Sequence, residues 1–201
     1  MNALYIGRFH IFHKGHLDMV KFIDAEKDVD KITIAIGSAQ YSRNKEHPYL
    51  PSILNPFTFD ERKTMLEMAL EGETKKPVNV IGVNDLHVCD MWYNLVIHSA
   101  KPDVFYSNSK KEKRLFESNN FPIRVIPIKK MNYHAHTIRE MIAHDNGWRG
   151  YVPKGTARFV EKFNIDRLLA DFFSQHEKEI EEVRAMQRRD GIEPYEDGKK
   201  Y

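Results

Sequence analysis

The sequence predicts an α/β protein: a Rossmann-like, doubly wound parallel sheet of about five strands, with helices at its C-terminal end. Two observations support this fold class. Short, nearly continuous apolar or β-branched runs alternate with longer amphipathic stretches, as in βαβ units whose parallel strands are buried on both faces. Glycine also follows the first two runs, at the edge where such sheets bind ligands.

The elements follow one another regularly along most of the chain. The predicted strands are 3–6, 32–36, 78–83, 104–106 and 124–128. The predicted helices are 17–25, 58–70, 91–100, 110–118, 137–144 and 157–173. Right-handed crossovers bring the carboxyl ends of these strands to one edge, so the turns at Gly7 and Gly37 are expected there together.

Two segments differ from this alternation. Residues 41–55 form a long, proline-containing connection of mixed charge, which is typical of a lid, a binding loop or a disordered segment. From Ser174 onward the chain is polar and highly charged, which predicts a solvated tail that begins as a helix and is disordered beyond Gly191. We therefore expect one domain over residues 1–173 and a charged tail over 174–201.

Composition excludes several classes of protein. The formal net charge of the 201 residues is only +2, which argues against bulk electrostatic binding to nucleic acid. No apolar run is long enough for a membrane helix, and no signal peptide precedes the first strand. Cys89 is the only cysteine, so an intrachain disulfide is impossible and a reducing, cytoplasmic location is expected. A nucleophilic role for Cys89 is less favoured than that of a small residue near a helix start.

The most informative segment is the turn from Gly7 to His16, which reads G-R-F-H-I-F-H-K-G-H between the first strand and the first helix. A helix start offers unpaired N–H groups and the positive end of a dipole, so this cationic turn is suited to phosphate. The alternatives are surface histidines without a ligand, or a metal site on His10, His13 and His16. Lys14 would repel a metal ion, and no cysteine or carboxylate lies beside these histidines to complete a site.

Further motifs lie at strand ends and helix starts. Gly37-Ser38-Ala39-Gln40 follows the second strand, where small residues let a ring or ribose approach the backbone, although this segment taken alone favours an ordinary strand-end turn. Thr58 and Glu61 fit a capping box, which leaves a ligand role for Arg62 open. Asp85 and Trp92 follow the third strand, and Trp92 fits either ring stacking or a helix core.

The last motif, 133–139, lies at a second helix start and reads Y-H-A-H-T-I-R. Arg139 is placed there on the first turn, within reach of a phosphate held by the amides. A metal pair at His134 and His136 lacks a third ligand at a suitable spacing.

Together these motifs resemble the archaeal-type nicotinamide-nucleotide adenylyltransferases of the nucleotidyltransferase superfamily, which carries an H-x-G-H signature. The resemblance runs from about Ala3 to Phe173. Its pieces are G-R-F-x(3)-H-x-G-H at Gly7–His16, G-S-A-Q at Gly37–Gln40, N-P-F-T-x-x-E-R at Asn55–Arg62, Asp85 before Trp92, and T-x-R at Thr137–Arg139. Their combination and order are more specific than any single piece.

The resemblance implies adenylyl transfer from ATP to nicotinamide mononucleotide (NMN), giving NAD and pyrophosphate, with Mg²⁺ bound mainly through substrate phosphates. It implies catalytic roles at the phosphates for His13, His16, Arg8 and Arg139. The substrate-binding residues it implies are Gly7, Phe9, Gly15, Gly37, Ser38, Gln40, Arg62, Asp85, Trp92, His134, His136, Thr137 and Ile138. No residue is assigned to a metal, and homo-oligomerisation is left open.

The chain departs from the family at several positions. His10-Ile11 replaces Gln-Pro, Asn108-Ser109 replaces Gly-Asn, and residues 41–55 are longer than the family's connection. His134 and His136 occupy the family's Ser and Thr positions, and we expect them to bind triphosphate as cations because a nearby anion raises an imidazole pKa. Two alternatives stay open: adenylyl or cytidylyl transfer to another phosphorylated acceptor (flavin, pantetheine or glycerol phosphate), and a non-catalytic nucleotide sensor.

Overall fold

The strands form a five-stranded parallel sheet in the computed structural model, which describes residues 1–126 and 134–190. The strands are β1 (Asn2–Gly7), β2 (Lys31–Ile36), β3 (Val78–Gly82), β4 (Val104–Tyr106) and β5 (Ile123–Arg124). Their order across the sheet is β3-β2-β1-β4-β5, which confirms the predicted doubly wound, Rossmann-like fold.

The pairing of the central strand with its two neighbours shows which edge of the sheet is expected to bind ligands. Ala3 of β1 pairs with Ile32 of β2 on one side and with Val104 of β4 on the other. The winding direction reverses between β1 and β4, so their carboxyl ends form the switch point of the sheet. Gly7 ends β1 opposite Ile36, and the Gly37 N–H donates to the Gly7 carbonyl at 2.9 Å.

The helices largely follow the predicted order. They are α1 (Lys14–Ala25), α2 (Phe59–Leu70), α3 (Cys89–Ala100), α4 (Lys110–Ser118), α5 (Ala135–Ala143), α6 (Lys154–Lys162), α7 (Ile165–Ser174) and α8 (Glu177–Arg189). Short 3-10 helices lie at Ser52–Leu54 and Trp148–Tyr151. No helix of the described residues is long and apolar enough to cross a membrane.

Two predicted elements need correction. The prediction of a single helix over 157–173 is wrong, because α6 ends at Lys162 and Asn164 takes a left-handed conformation with φ of 50° before α7 begins. The fifth strand was expected over 124–128, but β5 covers only Ile123–Arg124. Residues 127 and 128 lie outside the described residues, as does the segment beyond Gly191 for which we expect disorder.

The described chain divides into two compact units. The sheet unit comprises residues 1–8, 16–40 and 70–126, and the helical unit comprises residues 9–15, 41–69 and 134–190.

The sheet unit has a core on each face of the sheet. On one face, Leu4 and Ile6 of β1 are buried with residues of α3 and α4, among them Val96 and Phe116. On the other face, the Tyr5 hydroxyl lies 3.1 Å from the Met19 sulfur of α1. This alternation follows from the period of two in a β-strand, and it explains why β1 is apolar at almost every position.

The helical unit is built around α5 and α7. Ile138 of α5 and Leu169 of α7 are both fully buried, and α7 also contacts α6 and α8. On α8, Val183 and Gln187 are buried although the helix lies beyond residue 173. The position of the domain boundary stays a prediction.

Candidate active site

In the sheet unit, the Gly37–Gln40 turn after β2 contacts the residues that follow β3. The Ser38 hydroxyl donates to the Asp85 carboxylate at 2.5 Å. The Gln40 side-chain amide donates to the Asp85 carbonyl at 2.8 Å and accepts from the Asp85 N–H at 3.0 Å. Ser38 has a φ of 50°, a conformation that is costly outside glycine and is concentrated at functional sites. The turn therefore fixes both the backbone and the carboxylate of Asp85.

Arg8 follows β1 and is electrostatically coupled to Asp85. Its side chain is exposed, yet the surrounding protein lowers the pKa of the guanidinium, and the Asp85 carboxylate acts in the opposite direction. An arginine stays protonated under such conditions. The structure thus brings together four of the residues implied by the resemblance: Arg8, Ser38, Gln40 and Asp85.

Trp92 lies in the first turn of α3, and its surroundings support both sequence interpretations. The residue is half-buried and packs against the apolar cluster formed by the sheet, α3 and α4. Its indole N–H has no hydrogen-bond partner among the described residues. A buried indole N–H normally finds a partner, so this group is available to a ligand. A stacking role stays a prediction.

The packing around Gly37 does not require a glycine at this position. A Cβ added there would meet only the Gly7 carbonyl oxygen, at the ordinary contact distance of 3.9 Å. The residue therefore leaves space at the carboxyl edge that the sheet unit itself does not fill.

The H-x-G-H motif lies where α1 begins. Because α1 starts at Lys14, His13 precedes the helix, while Gly15 and His16 lie in its first turn. In the helical unit, burial and, to a smaller extent, the neighbouring His134 lower the pKa of His13 to about 4. Lys14 donates to the Gly150 carbonyl at 2.6 Å, so its charge is directed to the second 3-10 helix.

His10, which replaces the family's glutamine, is part of the interior of the helical unit. The ring is 3% exposed, accepts from the Phe57 N–H at 3.3 Å and stacks on the Phe57 ring at 6.1 Å. The neighbouring Phe9 is buried and has a φ of 52°. This turn is therefore held by packing as well as by the helix start.

The capping box predicted at the start of α2 is confirmed. The Thr58 N–H donates to the Glu61 carboxylate at 2.8 Å, and the Glu61 N–H donates to the Thr58 hydroxyl at 3.3 Å. Arg62 is fully buried and donates to the carbonyls of Thr58 and Tyr41 at 3.3 and 3.4 Å. A ligand role for Arg62 stays a prediction, while these bonds give it a structural one.

Sequence reasoning missed Arg43, which pairs with the same capping carboxylate. Its guanidinium donates to both oxygens of Glu61 at 2.5 and 2.6 Å and to the Pro56 carbonyl at 2.8 Å. These contacts connect the 41–55 segment to the start of α2. The signal in the sequence was an arginine in an otherwise unassigned loop, with no spacing rule to connect it to Glu61.

The distal motif lies at the start of α5, and most of the first turn of this helix is buried. His134 is exposed and precedes the helix, whereas His136, Thr137 and Ile138 are buried. The Thr137 hydroxyl has no hydrogen-bond partner among the described residues. Such a group costs about 1–3 kcal/mol when it is left unsatisfied, so a ligand phosphate would relieve it. Tyr133 of the predicted motif lies outside the described residues.

Arg139 is only 2% exposed, and its donors are directed inward. It donates to the His10 carbonyl at 2.7 Å and the Ile53 carbonyl at 2.9 Å, and it lies 3.4 Å from the His136 ring nitrogen. These bonds connect three segments of the helical unit. Direct phosphate binding by Arg139 stays a prediction.

The electrostatics of the distal histidines differ from the expectation of two cations. Burial lowers the pKa of His134, and burial together with Arg139 and Arg184 lowers the pKa of His136 well below its usual range. Both rings are therefore neutral at pH 7 before nucleotide binds. Protonation of both rings when triphosphate binds stays a prediction.

No group of three or more His, Cys, Asp or Glu side chains in residues 1–126 and 134–190 is arranged to hold a metal ion. Most of the candidate residues in the helical unit are arginines, histidines, hydroxyls and helix-start amides, which are donor types that bind phosphate in proteins.

A parallel sheet with an H-x-G-H turn between its central strand and the first helix defines a nucleotidyltransferase of the α/β class. The chain belongs to the cytidylyltransferase-like family, whose model matches residues 4–192. It is 32% identical over 164 residues to a nicotinamide-nucleotide adenylyltransferase of Thermoplasma acidophilum, covering 81% of this chain and 86% of that protein. It is 34% identical over 166 residues to the protein of that name from Methanococcus aeolicus, covering 82% and 90%. The resemblance inferred from the motifs is thereby confirmed.

Solved structures show the same fold at lower identity. A bifunctional NMN adenylyltransferase/ADP-ribose pyrophosphatase of Francisella tularensis, complexed with AMP and a manganese ion, matches with a TM-score of 0.68 and 23% identity. The match covers 94% of this chain but only 56% of the Francisella chain. A nicotinic acid mononucleotide adenylyltransferase of Plasmodium falciparum matches with a TM-score of 0.56 and 14% identity, over 83% and 97% of the two chains.

Proposed function

We propose that this protein transfers the adenylyl group of ATP to NMN, giving NAD and pyrophosphate. The observation that carries the proposal is the H-x-G-H turn at the start of α1, directly after the central strand of a β3-β2-β1-β4-β5 sheet. The archaeal relatives that share 32–34% identity with this chain are named for this activity, and they support NMN as the acceptor.

The chemistry explains why the site is rich in donors and needs no general base. The phosphate monoester of NMN has a second pKa of about 6, so its oxygens are already nucleophilic at pH 7. One of them bonds to the α-phosphorus of ATP as the bond to the β-phosphate oxygen breaks, and pyrophosphate leaves. The barrier lies in bringing two anions into line and stabilising the leaving group, so positioning and electrostatic stabilisation supply the catalysis.

Within this proposal, His13 and His16 contact the triphosphate together with the amides of the α1 start, and Arg8 and Arg139 act at the phosphates. His13 enters the reaction as a neutral donor, because its pKa is held at about 4 before ATP binds. The unsatisfied Thr137 hydroxyl supplies a further donor at the start of α5.

The acceptor is assigned to the sheet unit. Asp85, fixed by Ser38 and Gln40, presents a carboxylate to the nicotinamide amide or the ribose, and Trp92 offers its ring for stacking. Gly37 leaves room for the sugar or the ring to approach the backbone.

We propose that a divalent cation, Mg²⁺ in the cell, enters as the ATP complex and is held mainly by phosphate oxygens and water. The donor set fits this arrangement because the residues assigned to the phosphates are arginines, histidines and a hydroxyl rather than carboxylates. The manganese ion of the Francisella protein is consistent with divalent metal use. We place the reaction in the cytoplasm, since a chain whose only cysteine is Cys89 suits a reducing compartment.

The decisive test is pyrophosphate release from MgATP by the full chain across a panel of acceptors. The panel contains NMN, nicotinic acid mononucleotide, flavin mononucleotide, phosphopantetheine and glycerol phosphate. The proposal predicts the highest kcat/KM with NMN, and CTP should replace ATP poorly. A preference for another acceptor would show that NMN is not the substrate. ATP binding without turnover on any acceptor would indicate a nucleotide sensor.

A further inference from the structure

A cluster of ionisable side chains, most of them buried, joins α5 to α8 in the helical unit. Its members, which we call the α5–α8 cluster, are His136, Arg139, Glu140 and Arg184. The proposed function gives a role to Arg139 but none to His136, to Glu140 or to any residue of α8.

Glu140 lies at the centre of the cluster. It is 1% exposed, and one carboxylate oxygen accepts from Arg184 at 2.9 Å. The other oxygen lies 3.4 Å from the Nε2 atom of His136, without the alignment of a good hydrogen bond. A buried carboxylate is costly unless a cation compensates it, and Arg184 is the cation that α8 supplies.

The charges in the cluster depend on Arg184. Burial raises the pKa of Glu140 to about 7, opposed by Arg184 and Arg139 and assisted by Glu181. The pKa of His136 is held low by its burial, with Arg139 and Arg184 adding to the effect. His136 is therefore neutral, while Glu140 titrates close to physiological pH.

This arrangement links Glu140 to Arg139 through the imidazole. A carboxylate beside Nε2 favours the tautomer that carries its proton there, which leaves the Nδ1 lone pair facing the Arg139 guanidinium at 3.4 Å. When Glu140 is protonated, it no longer favours that tautomer. The acceptor that His136 offers to Arg139 thus depends on the charge of Glu140.

A second contact ties α8 to the same guanidinium. Glu179 of α8 accepts from the Ile53 N–H at 3.1 Å, and the Ile53 carbonyl accepts from Arg139 at 2.9 Å. Arg184 also donates to Glu181 on its own helix at 2.7 Å, which holds the Arg184 side chain toward α5.

We propose that Arg184 is a positioning residue for adenylyl transfer, acting through Glu140 and His136 to hold the Arg139 guanidinium in place. The proposal rests on the proposed function and extends the catalytic machinery to the C-terminal helix, beyond the motifs of the family resemblance. It also gives His136 a purpose where the family has threonine: the imidazole transmits the state of Glu140.

The test compares three variants of the full chain in the NMN reaction. Arg184→Gln removes the charge, Arg184→Lys keeps it, and Arg188→Gln is the matched control at an exposed arginine of the same helix. We expect Arg184→Gln to lower kcat about tenfold, equivalent to about 1.4 kcal/mol of transition-state stabilisation, with little change in the KM for NMN. Arg184→Lys should recover most of that loss, and Arg188→Gln should behave as the wild type.

The pH profile separates positioning from loss of structure. Without Arg184 the pKa of Glu140 rises above its wild-type value of about 7, so the kcat deficit of Arg184→Gln should be largest just above pH 7, where only the wild type has an ionised Glu140. The deficit should shrink below pH 6.5, where Glu140 is protonated in both proteins, and toward pH 9, where the carboxylate of the variant ionises again. The charged groups that face Glu140 are His136 and Arg139 on α5 and Arg184 and Glu181 on α8. A kcat deficit that does not vary with pH, or one that disappears at a temperature where the variant is fully folded, would overturn the proposal.

A measurement that needs no turnover separates a failure of this proposal from a failure of the proposed function. Ring ¹⁵N resonances of His136 report its tautomer, and we expect Arg184→Gln at pH 8 to reduce the Nε2–H form, which the wild type favours there because its Glu140 is largely ionised. If the wild type releases no pyrophosphate with any acceptor, the proposed function fails while this measurement still decides whether Arg184 controls His136. Unchanged ring resonances in Arg184→Gln would overturn the coupling itself.

Discussion

At the scale of single residues, His13 and His16 are the first test of the phosphate assignment. We expect His13→Ala and His16→Ala each to lower turnover by about 10²-fold or more, because each removes stabilisation that is greatest in the transition state. Both side chains are only half-buried, so folding should survive. His98→Ala, at an exposed histidine of α3, is the control. Near-normal turnover in both variants would exclude the phosphate role.

The neutral state of His13 predicts a contribution to acid sensitivity. Its pKa is about 4 in the folded chain against an ordinary 6.5, so between these pH values the unfolded chain binds a proton that the folded chain does not. Stability should therefore fall as pH drops through this window, by at most about 3 kcal/mol from this residue. Urea unfolding at pH 7 and 4.5 should show a smaller loss for His13→Gln than for the wild type. Equal losses would show that His13 titrates normally.

Trp92 separates a substrate contact from a core contact. If the ring stacks on nicotinamide, Trp92→Ala should raise the KM for NMN and leave the ATP affinity largely intact. A purely structural role predicts instead a loss of about 3–5 kcal/mol in the free energy of unfolding. Because the ring packs on the apolar cluster of the sheet unit, some loss of stability is expected in either case. The KM for NMN in the folded variant is therefore the deciding measurement.

The sequence showed which residues belong to motifs, but it did not show which distant residues they contact. The capping box of Thr58 and Glu61 was predictable because it depends on a spacing of three along one helix start. The bonds from Arg139 to the carbonyls of His10 and Ile53 join residues 129 and 86 positions apart, and no local rule encodes them. Glu140 and Arg184 were missed for the same reason, since they are 44 positions apart.

At the scale of elements, the strands and most helices follow from periodicity, but the break between α6 and α7 was missed. Apolar residues recur at helical spacing on both sides of the gap, so one helix was predicted over 157–173. Their face changes there, however, because Phe159 and Val160 would lie on one side of a continuous helix and Ile165 and Leu169 on the opposite side. The interruption depends on the left-handed backbone of Asn164, and asparagine is the residue other than glycine that most readily adopts it. The change of face and the asparagine were both present in the sequence as signals.

The crossing of α6 over α2 predicts contrasting effects at two glycines. A Cβ at Gly155 of α6 would lie 1.8 Å from the Met68 carbonyl oxygen, whereas a Cβ at Gly37 meets only an ordinary contact. Gly155→Ala should therefore destabilise by about 3 kcal/mol or more, although alanine is otherwise the better helix former. Gly37→Ala should keep the wild-type melting temperature and raise the KM of a substrate. Equal melting temperatures for the two variants would contradict the close helix approach.

At the scale of the whole molecule, the doubly wound parallel sheet was predictable because right-handed crossovers restrict the topologies open to alternating strands and helices. The division of the candidate residues between the sheet unit and the helical unit was not, since the turn after β1 divides between the units within a few residues. The predicted domain end at 173 came from the extent of the resemblance and from the charged composition beyond it, and it stays a prediction. Composition counts charged residues, and it does not register that Val183 and Gln187 of α8 are buried.

Two truncations test how far the functional chain extends. Removing residues 191–201 should leave activity and melting temperature unchanged, because this segment is charged and poor in apolar residues and the family match ends at 192. Removing residues 177–201 should lower both, since it deletes the buried Val183 and leaves Glu140 without Arg184. A buried carboxylate that loses its cation costs several kcal/mol, about 3–5 in measured cases. Calorimetry and pyrophosphate release on the two truncated chains provide the comparison. Loss of activity in the shorter truncation would instead assign the last residues to the site or to an interface between subunits.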